Sequence, residues 1–147
     1  MPKNQDGEPD PVVAIYDEDL LFDGHDGIFV REDGEPFTGI AHRLAENGVV
    51  IAEDRFENGV QEGRSRYWFP SGEPLGEAHF RHDSLHGPTK EWFPGGRMKR
   101  DAMFEHGIRL RDKVWNEAGT LIEDYELKEG DRSFRSLQLS RKIAENE

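Results

Sequence analysis

The sequence predicts a mainly β fold, an elongated single-layer antiparallel sheet of serial β-hairpins followed by a short C-terminal helix. Two observations carry this prediction: a unit of about 24 residues recurs along the chain, and a glycine stands at nearly every expected reversal. Self-similarity at a fixed period of about 20 to 50 residues is typical of repeat architectures. Glycines that separate short strands indicate hairpins in series rather than helical crossovers.

The repeat is defined by glycines and large apolar residues at fixed spacings. Each copy has an opening position, a large apolar residue, a middle glycine and a closing apolar residue, and the last copy is one residue shorter. The opening positions are Gly39, Gly63, Gly87 and Arg111; the large residues are Leu44, Trp68, Trp92 and Trp115; the middle glycines are Gly48, Gly72, Gly96 and Gly119; the closing residues are Phe56, Phe80, Phe104 and Leu127. We predict structural turn glycines at Gly39, Gly48, Gly59, Gly63, Gly72, Gly87, Gly96, Gly107 and Gly119.

The second strand of each copy alternates with a period of two, as expected for a strand with two different faces. The sixth and eighth positions after the middle glycine are apolar or small, apart from Asp54. The fifth position lies on the opposite face and is acidic in every copy: Glu53, Glu77, Asp101 and Asp124. The pattern therefore predicts one apolar face and one face with a row of acids.

Four segments are expected along the chain. Residues 1–11 form a flexible acidic leader, residues 12–36 form capping strands or a degenerate repeat, residues 37–130 form the repeat array, and residues 131–147 form the helix. Asp131 or Ser133 can cap that helix, which we expect to run from about Phe134 to Ala144 and to cover the last hairpin.

The charge of the chain is concentrated at its N-terminus. The net charge is −12, and residues 1–36 hold 2 basic and 11 acidic side chains, whereas residues 37–109 hold 10 and 11. Such acidity disfavours binding to nucleic acid or to an anionic membrane and favours the steering of a basic partner. The chain has no cysteine, and neither a signal peptide nor a membrane-spanning run is evident, so we expect a cytoplasmic protein.

The string from Asp33 to Gly39, the aromatic-x-x-x-Gly turns and the Phe-x-Asn-Gly-x-x-x-Gly return at Phe56 to Gly63 resemble the variant MORN repeats of bacterial antitoxin and immunity proteins. The resemblance covers roughly residues 27–130. It implies an elongated sheet of hairpins that presents one face to a partner, and many such proteins are thought to neutralise a toxin encoded nearby. The chain departs from the pattern at Asp83 and Arg111 and in its shortened last copy.

The candidate partner-binding residues are the four acids of the fifth position together with exposed aromatics. The acids could form a docking strip for a cationic protein, or a solvated face neutralised by Arg66 and Lys90 on adjacent strands, and both interpretations stay open. The tryptophans can pack in the sheet or contact a partner. The aromatic candidates are Trp68, Trp92, Trp115, Phe69 and Phe93, and we expect the two phenylalanines on the face opposite the tryptophans.

Metal binding and catalysis have little support in the sequence. His79, His82 and His86 are close together, but the equivalent positions of other copies hold unlike residues, which favours ordinary turn positions over a metal site. The acidic segment 17–27 lacks the spacing of a calcium loop. No motif for nucleophilic, nucleotide-dependent or zinc-dependent catalysis is present. We therefore expect no cofactor and no enzymatic activity.

The leading hypothesis is an antitoxin or immunity protein that blocks a cognate protein toxin by stoichiometric occlusion. The toxin would be basic, as many nucleases are, because the acidic leader and the acidic row would speed its association. The alternative is a general MORN-type interaction scaffold unrelated to toxins, since such arrays serve several purposes.

Overall fold

The computed structural model describes residues 5–7 and 10–147. The prediction of a flexible leader over residues 1–11 falls largely on residues 1–4 and 8–9, which lie outside the described residues. The chain is mainly β, with one long sheet of mostly antiparallel strands and a short C-terminal helix. The elements before the first full hairpin are β1 (Val13–Ile15), α1 (Tyr16–Asp19), β2 (Leu20–Asp23) and β3 (Ile28–Arg31).

The remaining strands follow one another as hairpins. They are β4 (Gly39–Leu44), β5 (Val50–Glu57), β6 (Val60–Gln61), β7 (Gly63–Trp68), β8 (Pro74–Arg81), β9 (Ser84–Leu85), β10 (Gly87–Trp92), β11 (Met98–Glu105), β12 (Ile108–Trp115) and β13 (Leu121–Glu126). The helix α2 spans Arg132–Glu145.

The long sheet has the strand order β1-β4-β5-β7-β8-β10-β11-β12-β13, and the two-residue strands β6 and β9 pair with β5 and β8. Two features differ from the uniformly antiparallel single sheet that the sequence predicts. β1 pairs with β4 in parallel, because α1, β2 and β3 lie between them in the chain and allow the return that a parallel pair requires. β2 and β3 form a separate two-stranded sheet.

The turn that joins the two long strands of each hairpin has the same hydrogen bonds in all four copies. In the second copy, Phe69 N–H donates to the Glu73 carbonyl and Gly72 N–H donates to the Phe69 carbonyl. A register shift stands beside each of these turns, at Leu44, Trp68, Trp92 and Trp115. A bulge of this kind places two residues opposite one and redirects the side chains next to it.

The reversals between copies use left-handed backbone at two successive residues. Asn58 and Gly59 have φ of 51° and 81°, and His106 and Gly107 have 50° and 77°. His82 and Asp83 reach 50° and 65° without a glycine. Asp83 tolerates this conformation because its carboxylate accepts the Gln61 N–H at 2.6 Å while its own N–H donates to the Gln61 carbonyl.

Three of the nine predicted turn glycines do not lie in turns. Gly39, Gly63 and Gly87 are the first residues of β4, β7 and β10, although all nine glycines have positive φ. At Gly39 the reason is close approach as well as conformation: a Cβ atom there would collide with the Val12 carbonyl oxygen and lie 2.9 Å from the Phe37 ring. These three glycines therefore provide the positive φ with which β4, β7 and β10 begin.

The hydrophobic core is formed where the N-terminal segment packs on the first hairpin. Its buried members are Ala14, Tyr16, Leu20, Phe37, Ala41 and Phe56, with Phe29 packed against them. The Phe29 and Phe56 rings meet edge to face with 5.1 Å between centroids, and Tyr16 contacts both. Aromatic pairs of this geometry add to the stabilisation from buried area.

The helix α2 begins two residues before the predicted start at Phe134. Asp131 occupies the N-cap position, but its carboxylate accepts the Lys128 N–H at 2.8 Å instead of a helix amide. Arg141 pairs with Glu105 of β11 at 2.7 Å. The expectation that α2 covers the last hairpin is wrong, because β13 remains exposed along its length. No helix in the described part of the chain is long and apolar enough to cross a membrane.

Candidate protein-interaction surface

One face of the long sheet carries a row of small or buried side chains along its middle. Cross-strand partners on this face include Ala41 with Asp54, Ser65 with Ala78, and Thr89 with Ala102. These six side chains are all less than a tenth exposed. We call this face, which also carries Phe56, Phe80 and Phe104, the inner face, and the opposite one the outer face.

The outer face carries a row of alternating charges that crosses eight strands. Each member is the cross-strand partner of the next, which puts an acid beside a base at every step. The row consists of His42, Glu53, Arg66, Glu77, Lys90, Asp101, Lys113 and Asp124. We call it the charge ladder. All four predicted acids belong to it, but the bases between them mean that the outer face is not an acidic strip.

Glu53 shows how tightly a ladder member can be held. Its carboxylate accepts two hydrogen bonds from the Arg66 guanidinium at 2.7 and 3.0 Å, and the His42 Nε2 atom lies 3.2 Å away. Burial opposes ionisation, yet these hydrogen bonds hold the pKa of Glu53 below its usual range. Asp101 also forms an ion pair with a residue outside the charge ladder, Arg111, at 3.4 Å.

The predicted aromatic residues lie at one end of the hairpins. Trp68, Trp92 and Trp115 are the last residues of β7, β10 and β12, and each is half-buried beside a register shift. Phe69 and Phe93 lie beyond the strand ends, in the turns. The alternation that predicted them on the opposite face applies only within a strand. The contact role of these five aromatics and of the ladder acids stays a prediction.

Cations lie over two of these hairpin ends. The Arg66 guanidinium is 5.3 Å from the Trp68 ring centroid, and the Lys99 ammonium is 5.5 Å from the Phe93 centroid. Contacts of this kind are worth about 0.5–1 kcal/mol at exposed sites. They hold flexible basic side chains against the aromatic rings, so that these two hairpin ends present both apolar and basic surface.

A buried carboxylate on the inner face is the first site that the sequence did not predict. Asp54 accepts hydrogen bonds from the Tyr16 hydroxyl at 2.6 Å, from Gln61 Nε2 at 3.1 Å and from the Tyr67 hydroxyl at 3.2 Å. Burial and the Asp54 charge raise the pKa of Tyr67 to about 12 and raise that of Tyr16 further. The sequence does mark Asp54, because it is the one acid at a position that is apolar or small in the other copies.

The Asp54 group forms the floor of an open groove of about 500 Å³. Aromatic and apolar side chains line it, and Arg43 lies at its rim, 4.9 Å above the Tyr16 ring and 3.1 Å from Asp17. The groove is lined by Tyr16, Phe29, Arg43, Ile51, Ala52, Asp54, Tyr67, Trp68 and Leu75. It lies beside the N-terminal core, since Tyr16 and Phe29 belong to both.

A second buried carboxylate lies near the other end of the inner face. Asp112 is 1% exposed and receives a two-pronged pair from Arg100 at 2.7 and 2.9 Å and a third bond from Arg109 at 3.1 Å. Burial opposes its charge, but the two guanidinium groups hold the pKa of Asp112 below its usual range. Arg109 also pairs with Glu123 at 2.9 Å and stacks 3.8 Å from the Tyr125 centroid. This cluster fixes the side chains that β12 and β13 present.

Neighbouring copies are joined by a recurring hydrogen bond that we call the turn latch. The first residue of each return turn donates its N–H to a side chain 20 residues earlier: Asn58 to Thr38 Oγ1, His82 to Glu62 Oε2, and His106 to His86 Nδ1. The second turn residue donates to the carbonyl of Phe37, Gln61 or Leu85. A position that accepts Thr, Glu or His needs only a hydrogen-bond acceptor, which explains why the sequence pattern there looked arbitrary.

The histidines considered for metal binding serve other purposes. His86 is the acceptor of a turn latch, and His79 Nδ1 lies 3.0 Å from the Pro88 carbonyl oxygen. His82 lies in the return turn, 3.8 Å from Glu62. Within the residues that the structure describes, no group of three or more potential metal ligands is present.

The fold and these surfaces define a mainly β protein whose long sheet presents ordered rows of charge and aromatic residues. The chain matches no protein-family model and no solved structure. It is similar to the immunity protein YwqK of Bacillus subtilis (strain 168), with 47% identity over 110 residues, which cover 75% of this chain and 71% of that protein. The chain therefore belongs to the family of immunity proteins that includes YwqK.

Proposed function

We propose that this protein neutralises a cognate bacterial toxin by binding it stoichiometrically and blocking its active surface. The 47% identity to an immunity protein over most of both chains is the observation that carries the proposal. The long sheet supports it physically, because two side-chain faces supply enough area for a stable protein–protein interface. The protein would act as a binding partner rather than as an enzyme, in the cytoplasm of the cell that makes the toxin.

As part of this proposal, the hairpins from β4 onward are repeats of the MORN type. β4, β7 and β10 begin at Gly39, Gly63 and Gly87, and β5, β8 and β11 begin at Val50, Pro74 and Met98. The four hairpin turns share their hydrogen bonds, and three turn latches recur at the same separation. These regularities support successive copies of one unit, stacked so that each copy contacts only its neighbours.

The toxin would be a basic protein, which is compatible with a nuclease. The acidic excess lies in residues 1–36, with 11 acids and 2 bases, and not in the charge ladder. Electrostatic attraction from this segment would raise the association rate, whereas dissociation would depend on buried aromatic contacts. Stopped-flow binding at two ionic strengths tests the first point: an association rate that does not change with salt removes the steering from the proposal.

The central test is co-expression of this protein with the product of the adjacent reading frame, scored for rescue of growth. Rescue that rises with the molar ratio of the two proteins and saturates near equality supports stoichiometric blocking. Rescue by a small fraction of the molar amount of toxin indicates turnover instead. If the adjacent product is harmless and no partner toxin is found in the same operon, a general interaction scaffold becomes the better interpretation.

A charge-swapped variant tests whether the ladder contacts the toxin. Glu77 and Lys90 are cross-strand partners. The double variant Glu77→Lys/Lys90→Glu keeps that one pair and the net charge and reverses the pattern that a partner meets, but it places like charges beside Arg66 and Asp101, which should lower stability slightly. Loss of rescue in a variant that is still folded at the assay temperature supports a contact at the ladder. Retained rescue in that variant together with loss in Trp92→Ala assigns the contact to the hairpin ends.

A further inference from the structure

We propose that the open edge of β13 is a docking site for a β-strand of a partner protein that carries basic side chains at alternate positions. The identification of that partner with the toxin rests on the function proposed above. The chemistry of the edge does not depend on it, since it follows from hydrogen-bonding groups and charges within this chain.

The edge is open over the full length of the strand. β13 is the terminal strand of the long sheet, and within the described residues nothing pairs beyond it. Every residue of β13 except Tyr125 is exposed, with Ile122 at 62%. A row of unpaired N–H and C=O groups on such a strand is a template for the addition of another strand.

The hydrogen-bond pattern shows which residues face outward. Leu127 N–H donates to the Leu110 carbonyl on β12. Backbone groups alternate in direction along an antiparallel pair, so the N–H and C=O groups of Glu126 and Asp124 point away from β12. Ile122 is the extra residue at the register shift beside Trp115, where this alternation is interrupted. The side chains of Asp124 and Glu126 share the outer face. One set of residues therefore offers both the backbone groups and the side chains to an added strand.

The charge ladder predicts the side chains that such a strand needs. Asp124 is the last ladder member and lies opposite Lys113, and Glu126 lies opposite Arg111. Neither carboxylate lies within 4.0 Å of a basic nitrogen of the described residues. The ladder alternates acid and base across the whole sheet, so a basic residue opposite Asp124 continues it. A second basic residue fits opposite Glu126.

The opposite edge of the sheet, formed by β1, is protected against the addition of a strand, whereas the β13 edge is not. β1 has only three residues, and the Ile15 N–H at its end is already bonded to the Asp19 carboxylate at 2.7 Å. Short strands and occupied backbone groups are common ways to prevent the addition of strands at an edge. The contrast assigns the docking function to β13 alone.

A second copy of this chain is a poor occupant of the same edge. Glu123, Asp124 and Glu126 are three of the six residues of β13, and antiparallel pairing of two copies would bring these acids close together. Like charges across strands are destabilising by about 0.2–1 kcal/mol for each directly opposed pair. The acids thus oppose self-association and favour a cationic strand, which makes the edge selective.

The test uses a cyclised hairpin peptide whose outer strand alternates lysine and threonine, titrated into the full chain and followed by the NMR signals of the backbone amides. We expect the largest shifts and the greatest slowing of hydrogen exchange at Asp124 and Glu126. A peptide with glutamate in place of lysine should bind about tenfold more weakly, because two opposite-charge pairs become two like-charge pairs.

Two variants and a control complete the experiment. Asp124→Pro removes an outward N–H without breaking the pairing with β12 and should abolish peptide binding. Asp124→Lys/Glu126→Lys should exchange the preference, so that the glutamate peptide binds better. The control Glu32→Lys/Glu46→Lys makes the same change in net charge at exposed positions outside the last hairpin and should keep the preference for lysine.

Each outcome decides the inference. The inference is overturned if the lysine peptide does not bind, or if the amide shifts lie away from β13. It is also overturned if the double lysine variant keeps the original preference, or if the chain forms a dimer that Asp124→Pro dissociates. If the adjacent gene product is neutralised equally by the wild type and by Asp124→Pro, the edge fails as a toxin site while the proposed function survives. If the peptide binds at β13 but no toxin is neutralised, the edge survives and the proposed function fails.

Discussion

The Nδ1 atom of His86 accepts the backbone N–H of His106 at 3.1 Å, and the two imidazole rings lie edge to face with 4.9 Å between their centroids. A ring nitrogen accepts a hydrogen bond only while it is unprotonated. Burial lowers the pKa of His86, and His106 and Arg81 lower it further, whereas Glu105 and Glu62 act in the opposite direction. The folded state therefore favours neutral His86 and an intact turn latch.

This relationship predicts that acid weakens the third turn latch. Because the folded pKa of His86 is depressed, its contribution to stability is complete above the unfolded value of about 6.5 and is lost as pH falls through the folded pKa. His86→Thr should keep an acceptor, as Thr38 does in the first latch, and should remove this pH dependence. His86→Leu should lose about 1 kcal/mol at neutral pH.

Urea unfolding of the three proteins at neutral pH and at about pH 5.5, roughly one unit below the free histidine value, measures the effect. The comparison between variants removes contributions from the other histidines and the acids. If the free energy of unfolding falls as much on acidification in His86→Thr as in the wild type, protonation of His86 is not linked to unfolding.

The Asp112 cluster predicts a large asymmetry between two acids of the same sheet. Asp112→Ala leaves Arg100 and Arg109 without their buried partner and should destabilise the protein by about 3–5 kcal/mol. Asp124→Ala, at an exposed position, should change stability by less than about 0.5 kcal/mol. Chemical denaturation measures both, and equal effects of the two substitutions would contradict the structural role of Asp112.

The Asp54 group predicts late ionisation of two tyrosines. Burial raises the pKa of Tyr67 to about 12 and raises that of Tyr16 as well. Because both folded pKa values exceed the unfolded value of about 10, the stability from these hydroxyls is present below that pH and is lost as pH rises through the folded values. The share of the phenolate absorbance that comes from these two of the three tyrosines should therefore rise with the loss of folded structure rather than before it.

The hydroxyl contacts themselves are tested by two conservative variants. Tyr16→Phe removes a 2.6 Å hydrogen bond to a buried carboxylate and should cost about 1.5–3 kcal/mol. Tyr67→Phe removes the longer bond at 3.2 Å and should cost less. A larger effect from Tyr67→Phe in thermal unfolding would mean that the Tyr16 hydroxyl is not the principal donor to Asp54.

A pair of glycine substitutions separates crowding from backbone conformation. Gly39 and Gly72 both have positive φ, at 151° and 91°, but only Gly39 has neighbours that a Cβ atom would strike. Gly72→Ala should cost about 1–2 kcal/mol, from conformation alone. Gly39→Ala should cost about 1–3 kcal/mol more. Similar unfolding midpoints for the two variants would show that the chain at Val12 shifts to make room for the Cβ atom at no measurable cost.

Much of the sheet follows from local signals in the sequence. Glycines, asparagines and alternating side chains predict strands and reversals, because backbone conformation and side-chain direction are properties of neighbouring residues. The parallel pair of β1 with β4 depends on a contact between distant segments, and no local pattern encodes it. The two-residue strands β6 and β9 are too short to produce a readable alternation.

The candidate surface was less predictable than the fold. The acids of the fifth position are evident, but their neutralisation by His42 and Lys113 becomes clear only once the register of every hairpin is known. Asp112 is surrounded in the sequence by other charged residues, so nothing marks it as buried. Arg100 lies on the neighbouring strand β11, and Arg109 lies in β12 itself, beyond a register shift between the two strands.

The turn latches end at a particular residue. Leu110 occupies the position of Thr38, Glu62 and His86, but its side chain has no acceptor, and its carbonyl instead receives the Leu127 N–H as the chain leaves the sheet. A gene duplication that inserts one unit upstream of this stop keeps the contacts within each copy and adds one further junction between neighbouring copies. It lengthens the molecule by two strand spacings, roughly 9–10 Å. The length of such a sheet can thus change by whole units while the strands at its two edges stay the same.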